Sequence, residues 1–205
     1  MENNDCDCEE CREVETGGSL RDQIWANQLQ HREIWINGEI NDSIIEKLVV
    51  QLHNLNQEDD EREAHLNDYV RDEIKVFINS AGGDLHSGMA AVSAIKASRS
   101  PVHTIALGKA FSMGFLMLIA GHKRSCQEFS TLMYHQLSAG IGLKSLRDIE
   151  QVAEQCGCQQ AMIEELVKEH TLLPEEELDR IFVSKHDLYL NAAEALEWGV
   201  VDTLI

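Results

Sequence analysis

Hydrophobic and polar residues alternate in short stretches, and each stretch is followed by apolar residues at helical spacing. The segment "REIWINGEI" (residues 32–40) alternates like a half-buried strand, and "IKVFIN" (74–79) is rich in β-branched residues. After them, apolar residues three or four apart predict helices that begin near Asp42 or Ser43 and at Asp84. A third strand-like segment, "VHTIAL" (102–107), leads to an apolar helix that begins at Ser112. Repeated strand–turn–helix units of this kind predict an α/β fold.

Two segments between these units have no such pattern. Residues 56–73 are polar and acidic, which predicts a solvated surface loop. Gly108 separates "VHTIAL" from the apolar helix and is expected to form a turn.

The C-terminal half adds a turn with one short strand, a long helix and a mixed end. The strand in "RSCQEFSTLMYHQ" is expected to end near His135. A long amphipathic helix is then marked by Leu146, Ile149, Ala153, Cys156, Ile163 and Val167. A further helix is predicted with Pro174 in its first turn, and the last twenty residues read as strand, helix and strand.

Length and composition predict one globular domain after a distinct tail. The chain has 205 residues, of which 43% are hydrophobic, so it can form a core of ordinary size. Residues 1–18 are acidic and cysteine-rich, and residues 19–205 are expected to form a single domain. Cys6, Cys8 and Cys11 could share a soft metal ion, but they have no evident fourth ligand. The alternative, a mobile tail with free thiols, is favoured, and no metal is expected.

Charge and hydrophobicity exclude several classes of partner. The formal net charge is −19, which disfavours nucleic acid and anionic lipid surfaces as partners. The longest apolar run, residues 111–120, is too short to span a bilayer. The acidic N-terminus has no apolar core, so it is not a signal or transit peptide, and a cytoplasmic location is predicted.

Ser112 is a candidate catalytic residue because its side chain places a hydroxyl at the start of a nearly apolar run. A serine nucleophile needs an adjacent base and donors for the oxyanion. His135 could be the base, Asp187 could orient it, and the backbone N–H groups of Gly83 and Met113 could bind the oxyanion. Spacing alone leaves simpler roles open: Ser112 or Asp187 could cap a helix or turn, and His135 could be a core residue.

Several motifs make the chain resemble ClpP, the family of Clp protease proteolytic subunits. They are "FINSAGGD", "AFSMGFLMLIAGHKR", "LMYHQ", "KEHT", "HDLY" and "EWGVVD", in the family's order, and the resemblance covers residues 22–205. It implies Ser112 as nucleophile, His135 as general base and Asp187 as the residue that orients His135. It also implies Gly83 and Met113 as oxyanion donors.

The resemblance also implies an architecture and partners. The fold would be a ClpP/crotonase-like superhelix of repeated β-β-α units, with residues 136–172 as a protruding handle helix. Seven identical subunits would form a ring, and two rings would stack into a chamber. A partner AAA+ ATPase would deliver unfolded proteins for cleavage. The chain itself would need no cofactor, because ATP is used by the partner.

The chain departs from the family pattern at several positions. Ala81 and Leu137 replace prolines, and His186 replaces an arginine that commonly pairs across the ring–ring interface. Two other function classes stay open. One is a non-catalytic ring subunit, and the other is a crotonase-type enzyme acting on CoA thioesters.

Overall fold

The computed structural model describes residues 19–138, 140, 142 and 145–205. The chain divides into two compact units, Met1–His31 and Arg32–Ile205. In the first unit, helix α1 (Leu20–Gln30) begins in a capping box, in which the Ser19 and Asp22 side chains bond each other's backbone N–H groups. The predicted tail, including Cys6, Cys8 and Cys11, lies outside the described residues.

The second unit is built on one seven-stranded sheet. Its strands are β1 (Glu33–Asn37), β2 (Ile74–Ser80), β3 (Val102–Phe111), β4 (Lys123–Cys126), β5 (Thr131–Tyr134), β6 (Leu188–Leu190) and β7 (Thr203–Leu204). Strands β1, β2, β3, β4 and β7 are adjacent in that order and parallel. Strand β5 also runs parallel to β3, and β6 pairs with β5 in the antiparallel sense. The predicted α/β class is confirmed, with a largely parallel sheet.

Strand β3 is long enough to pair with two neighbours in succession. Its first half, His103–Ala106, pairs with β4, and its end, Lys109–Phe111, pairs with β5. Gly108 lies between the halves with φ of 70°. The prediction that Gly108 ends the strand is therefore wrong. Its positive φ, which glycine adopts at little cost, lets the strand change partner and continue to Ser112.

Helices cover the sheet and bury its apolar residues. They are a π-helical turn (Ile45–Val49) continuing into α2 (Val50–His65), then α3 (Leu85–Ala97), α4 (Met113–Ile119), α5 (Leu146–His170), α6 (Glu175–Ser184) and α7 (Ala192–Glu197). All seven residues of α4 are buried. Asp84 caps α3 as predicted, because its Oδ1 accepts a 2.7 Å hydrogen bond from the Ser87 N–H.

The acidic segment 56–73 was predicted to be a loop, and this is wrong for its first half. Helix α2 continues to His65. Asp59 is fully buried in it and accepts hydrogen bonds from Arg32, Tyr69 and Ser100. A buried carboxylate is tolerated when it is paired in this way. The buried polar residues therefore continue the buried face of the helix, although their side chains do not show the apolar spacing that predicts such a face.

The C-terminal half follows the sequence pattern with two corrections. The segment 123–134 contains two strands, β4 and β5, where one was expected. Pro174 is the N-cap of α6 and lies just before its first turn. The long helix α5 forms as predicted, and Gly157 within it has open space around its Cα. Within the described ranges, no helix is both long and apolar enough to cross a membrane.

Candidate active site

Ser112 lies at the junction between β3 and α4. Its φ is 53° and its ψ is −117°, a strained combination for a residue with a side chain. The backbone holds this geometry because the Ser112 N–H donates a 2.9 Å hydrogen bond to the Met133 carbonyl of β5. The Ser112 side chain makes no capping hydrogen bond to α4. Its hydroxyl is therefore not engaged as a helix cap, the simpler role that spacing left open.

His135 follows β5 directly and meets this hydroxyl. The distance from His135 Nε2 to Ser112 Oγ is 2.8 Å, within normal hydrogen-bond length. When the imidazole is neutral and Nε2 accepts this bond, its proton is on Nδ1. The pair then has the geometry of a serine nucleophile beside its general base. Both side chains are half-buried, so a substrate can reach them.

The glycine pair before α3 approaches the same point closely. A methyl group on Gly82 would lie 2.7 Å from Ser112 Cβ and 3.2 Å from the Met113 nitrogen. One on Gly83 would lie 2.0 Å from the Ile40 carbonyl oxygen. Only glycine therefore fits at both positions, and the close fit holds this backbone beside Ser112.

The backbone N–H groups of Gly83 and Met113 are available beside the hydroxyl. The Ile40 N–H donates to the Gly82 carbonyl at 2.9 Å, and the Ile40 carbonyl accepts from the Asp84 N–H at 2.8 Å. Neither of these bonds uses the Gly83 N–H. Met113 is the first residue of α4, where an N–H has no partner within the helix. Both residues line the cavity that contains Ser112. An oxyanion at this place would meet donors and the positive end of α4.

That cavity has a volume of about 400 Å³ and combines reactive groups with apolar walls. Gly83, Ser112, Met113 and His135 form its reactive edge, and Leu116 and Ile163 are among its apolar lining. Three of its residues, Cys156, Gln159 and Ile163, come from α5. Among the described residues, no cluster of His, Cys, Asp and Glu could hold a metal ion.

Asp187 lies just beyond the end of the pairing between β5 and β6, in the same region as His135. The antiparallel ladder between β5 and β6 ends at the pair Tyr134 and Leu188, so the next pair outward would be His135 and Asp187. Both also line a second cavity of about 400 Å³, together with Lys185. No hydrogen bond joins these two described side chains. The structure thus joins Ser112 and His135 by a hydrogen bond and places Asp187 beside a cavity that His135 also lines.

A second Ser–His–acid arrangement occurs away from this cavity. Glu73 Oε1 is 3.1 Å from His103 Nδ1, and His103 Nε2 is 2.7 Å from Ser125 Oγ. Ser125 is fully buried, His103 is 6% exposed, and the Ser125 hydroxyl also bonds Thr203 at 2.8 Å. No substrate carbonyl can approach such a serine. We interpret this group as a hydrogen-bonded link between β3, β4 and β7.

Gln160 is the residue near the site that sequence reasoning missed. Its Oε1 accepts a 2.7 Å hydrogen bond from the backbone N–H of Leu137, two residues after His135. Helical spacing could have indicated it, because Gln160 lies four residues after Cys156 and three before Ile163 on the predicted apolar face.

Comparison with known proteins gives one consistent result. The family model described as Clp protease matches residues 16–205. A curated protein named ATP-dependent Clp protease proteolytic subunit 2, from Rhodococcus jostii, is 34% identical over 92% of this chain and 91% of its own length. A protein of the same name from Corynebacterium diphtheriae is 32% identical, over 94% and 92%. A proteolytic subunit 1 from Frankia casuarinae is 34% identical, over 92% and 84%.

Proposed function

The chain belongs to the Clp protease family, and from this premise we propose that Ser112, His135 and Asp187 are the catalytic triad of a serine endopeptidase. Family and relatives together give the chain the function of an ATP-dependent Clp protease proteolytic subunit, a serine peptidase. The observation that carries the residue assignment is the 2.8 Å contact between His135 Nε2 and Ser112 Oγ.

The proposed reaction is acyl transfer through Ser112. His135 Nε2 takes the hydroxyl proton as Ser112 Oγ attacks the scissile carbonyl carbon. The N–H groups of Gly83 and Met113 bind the oxyanion of the tetrahedral intermediate. His135 then gives its proton to the leaving amine, and the C–N bond breaks to leave an acyl-enzyme. Water, deprotonated by His135, then attacks the ester carbonyl, and His135 returns the proton to Ser112 Oγ as the ester C–O bond breaks and the second peptide leaves.

Asp187 is proposed to hold the His135 ring during this cycle. The support is the strand register, because continuing the β5–β6 ladder by one pair beyond Tyr134 and Leu188 would put Asp187 opposite His135. Directly opposed residues in an antiparallel pair have Cβ atoms about 4.5–5.5 Å apart. Extending the ladder by one pair would therefore bring the carboxylate within reach of Nδ1–H. There it would fix the tautomer and stabilise the imidazolium.

Labelling with a fluorophosphonate tests the assignment of the nucleophile. We expect stoichiometric modification at Ser112, because among the described serines only this one combines partial exposure with a histidine contact. Ser125 should stay unmodified in the native protein, although it also contacts a histidine. Peptide mapping by mass spectrometry locates the adduct, and His135→Ala should slow labelling strongly. Labelling at Ser125 or elsewhere, with Ser112 free, would refute the proposal.

The same experiment separates the two other function classes. A non-catalytic ring subunit or a CoA-thioester enzyme of crotonase type would have no need for an activated serine. No feature of the described residues favours either class over the peptidase.

The ATP-dependent function implies an ATPase partner. We propose in addition that the partner is an AAA+ unfoldase that delivers unfolded proteins, and that seven subunits form a ring that stacks into a double ring. In this proposal the fold is a ClpP/crotonase superhelix, and α5 forms its handle. The cytoplasmic location stays a prediction. Exposed apolar residues on α5, Leu146, Ile149 and Met162, are consistent with a contact between handles.

His186 is the residue at which the proposed double ring can be tested. It is exposed and follows Lys185, which ends α6 in the left-handed conformation. In the family that the chain resembles, an arginine at this position commonly pairs across the ring–ring interface, and arginine offers a rigid fork of donors that histidine lacks. We expect His186→Arg to raise the double-ring fraction in sedimentation velocity at one fixed pH. An unchanged fraction would contradict the prediction.

A further inference from the structure

The hydrogen bond between Gln160 and Leu137 ties α5 to the catalytic segment. Gln160 Oε1 accepts from the Leu137 N–H at 2.7 Å, and Gln160 Nε2 donates to Glu164 Oε1 at 3.3 Å. Both Gln160 and Leu137 are half-buried. The Gln160 amide is thus held between a partner on its own helix and the backbone beyond His135.

This bond restrains His135 from its C-terminal side. On the other side, Tyr134 is 1% exposed, its ring stacks on Phe115, and its backbone ends the β5–β6 ladder. Leu137 is two residues beyond His135 and bonds to α5. The His135 backbone is therefore fixed between a core anchor and a helix anchor. This geometry supports the 2.8 Å contact from its ring to Ser112.

The donor in this bond exists because residue 137 is leucine. The family pattern that the chain resembles has proline after His-Gln, and proline has a fixed φ and no N–H. Leucine leaves the backbone free to rotate, but it supplies an N–H. We propose that Gln160 is a positioning residue for catalysis, which restrains the His135 segment through the Leu137 N–H in place of a proline ring. The inference rests on the proposed function of His135.

Gln160→Met tests the proposal, because methionine has similar length and no strong acceptor. We expect kcat for a short peptide to fall roughly 10- to 100-fold, the range that a displacement of about 1 Å at a catalytic group can cost. KM should change less than about threefold, since Gln160 is not among the residues that line the Ser112 cavity. The rate of fluorophosphonate labelling at Ser112 should fall in parallel.

Two matched variants separate a missing acceptor from a disturbed helix. The exchange Gln160→Glu with Glu164→Gln keeps an oxygen acceptor at 160 and the local charge, so it should restore most of the activity. Gln151→Met makes the same change at an exposed position of the same helix and should leave kcat within about twofold. Thermal midpoint and native mass, measured for each variant, control for folding and assembly.

Leu137→Pro allows a decisive double-mutant cycle with Gln160→Met, because proline at 137 removes the N–H that donates to Gln160. If Gln160 acts through this N–H, Gln160→Met should change kcat less than about twofold in the Leu137→Pro background. The proposal is overturned if the loss from Gln160→Met is as large there as in the wild type, or is absent in the wild type. Ser112 labelling of the wild-type protein, and the inactivity of Ser112→Ala, report on the proposed function separately. A failure of the inference is thus distinguishable from a failure of the triad.

Discussion

Replacing Ser112 with alanine is expected to lower peptide hydrolysis by at least about 10⁴-fold, because the change removes the only atom proposed to attack the substrate. The fold should persist, since alanine keeps the Cβ that faces Gly82 and the backbone bond to Met133. Initial rates on a fluorogenic peptide measure the loss, and circular dichroism and native mass verify the fold and assembly.

The matched control for this variant is Ser125→Ala. Ser125 also contacts a histidine, but it is fully buried between His103 and Thr203. Its loss should cost stability, about 1–3 kcal/mol for the buried groups left without a partner, and little activity per folded molecule. Hydrolysis that persists in Ser112→Ala but disappears in Ser125→Ala would reverse the assignment of the two serines.

Replacing Asp59 with alanine is expected to destabilise the protein by about 3–5 kcal/mol. The Asp59 carboxylate accepts hydrogen bonds from Arg32 at 3.1 and 2.6 Å, from Tyr69 at 2.6 Å, and from Ser100. Without it, the Arg32 guanidinium, which is also buried, would lose its counter-charge. Urea denaturation, followed at one fixed assembly state, measures the change in the free energy of unfolding.

Asp60 offers a neighbouring control on the same helix. Its carboxylate pairs with Arg71 at 2.6 Å and with Arg99, but it is 36% exposed. Surface pairs contribute about 1 kcal/mol or less, so Asp60→Ala should cost much less than Asp59→Ala. Equal losses for the two variants would show that burial of the Asp59 pair does not matter.

The Asp59 contribution should also depend on pH. Burial by itself would raise the pKa of Asp59, but the hydrogen bonds from Arg32, Ser100 and Tyr69 outweigh it and lower the pKa below its ordinary value. A carboxyl with a lowered folded-state pKa stabilises the fold above its unfolded pKa, about 3.9. The stability difference between wild type and Asp59→Asn should therefore be full near neutral pH and shrink as the pH falls below about 4.

The strands and helices were largely predictable, because the spacing of apolar residues is a local property. The strand at "IKVFIN" and the helix capped by Asp84 both form where the pattern indicated. Ser112 was also predictable as a candidate, since a hydroxyl at the start of an apolar run is unusual. The resemblance to ClpP motifs then selected His135 from nine histidines.

Features that depend on distant partners were not predictable from local pattern. From the sequence, Asp59 is predicted to be a surface residue. Its burial depends on Arg32 and Ser100, which are 27 and 41 residues away and bind it only in the folded chain. Gly108 is predicted to form a turn from the sequence, because nothing local indicates that β5 pairs with the second half of β3. Whether Asp187 can hydrogen-bond His135 depends on where the β5–β6 ladder ends, which no single-residue pattern specifies.

At Ser112, folding and the proposed chemistry favour different amino acids. The backbone there, with φ of 53°, is one that glycine accepts readily and that costs a residue with a side chain about 1–3 kcal/mol. Ser112→Gly would therefore be favoured if substitutions were ranked by stability alone, but it would remove the proposed nucleophile. The fold therefore accepts backbone strain at the residue whose hydroxyl is the proposed nucleophile, and this strain lowers the stability of the domain.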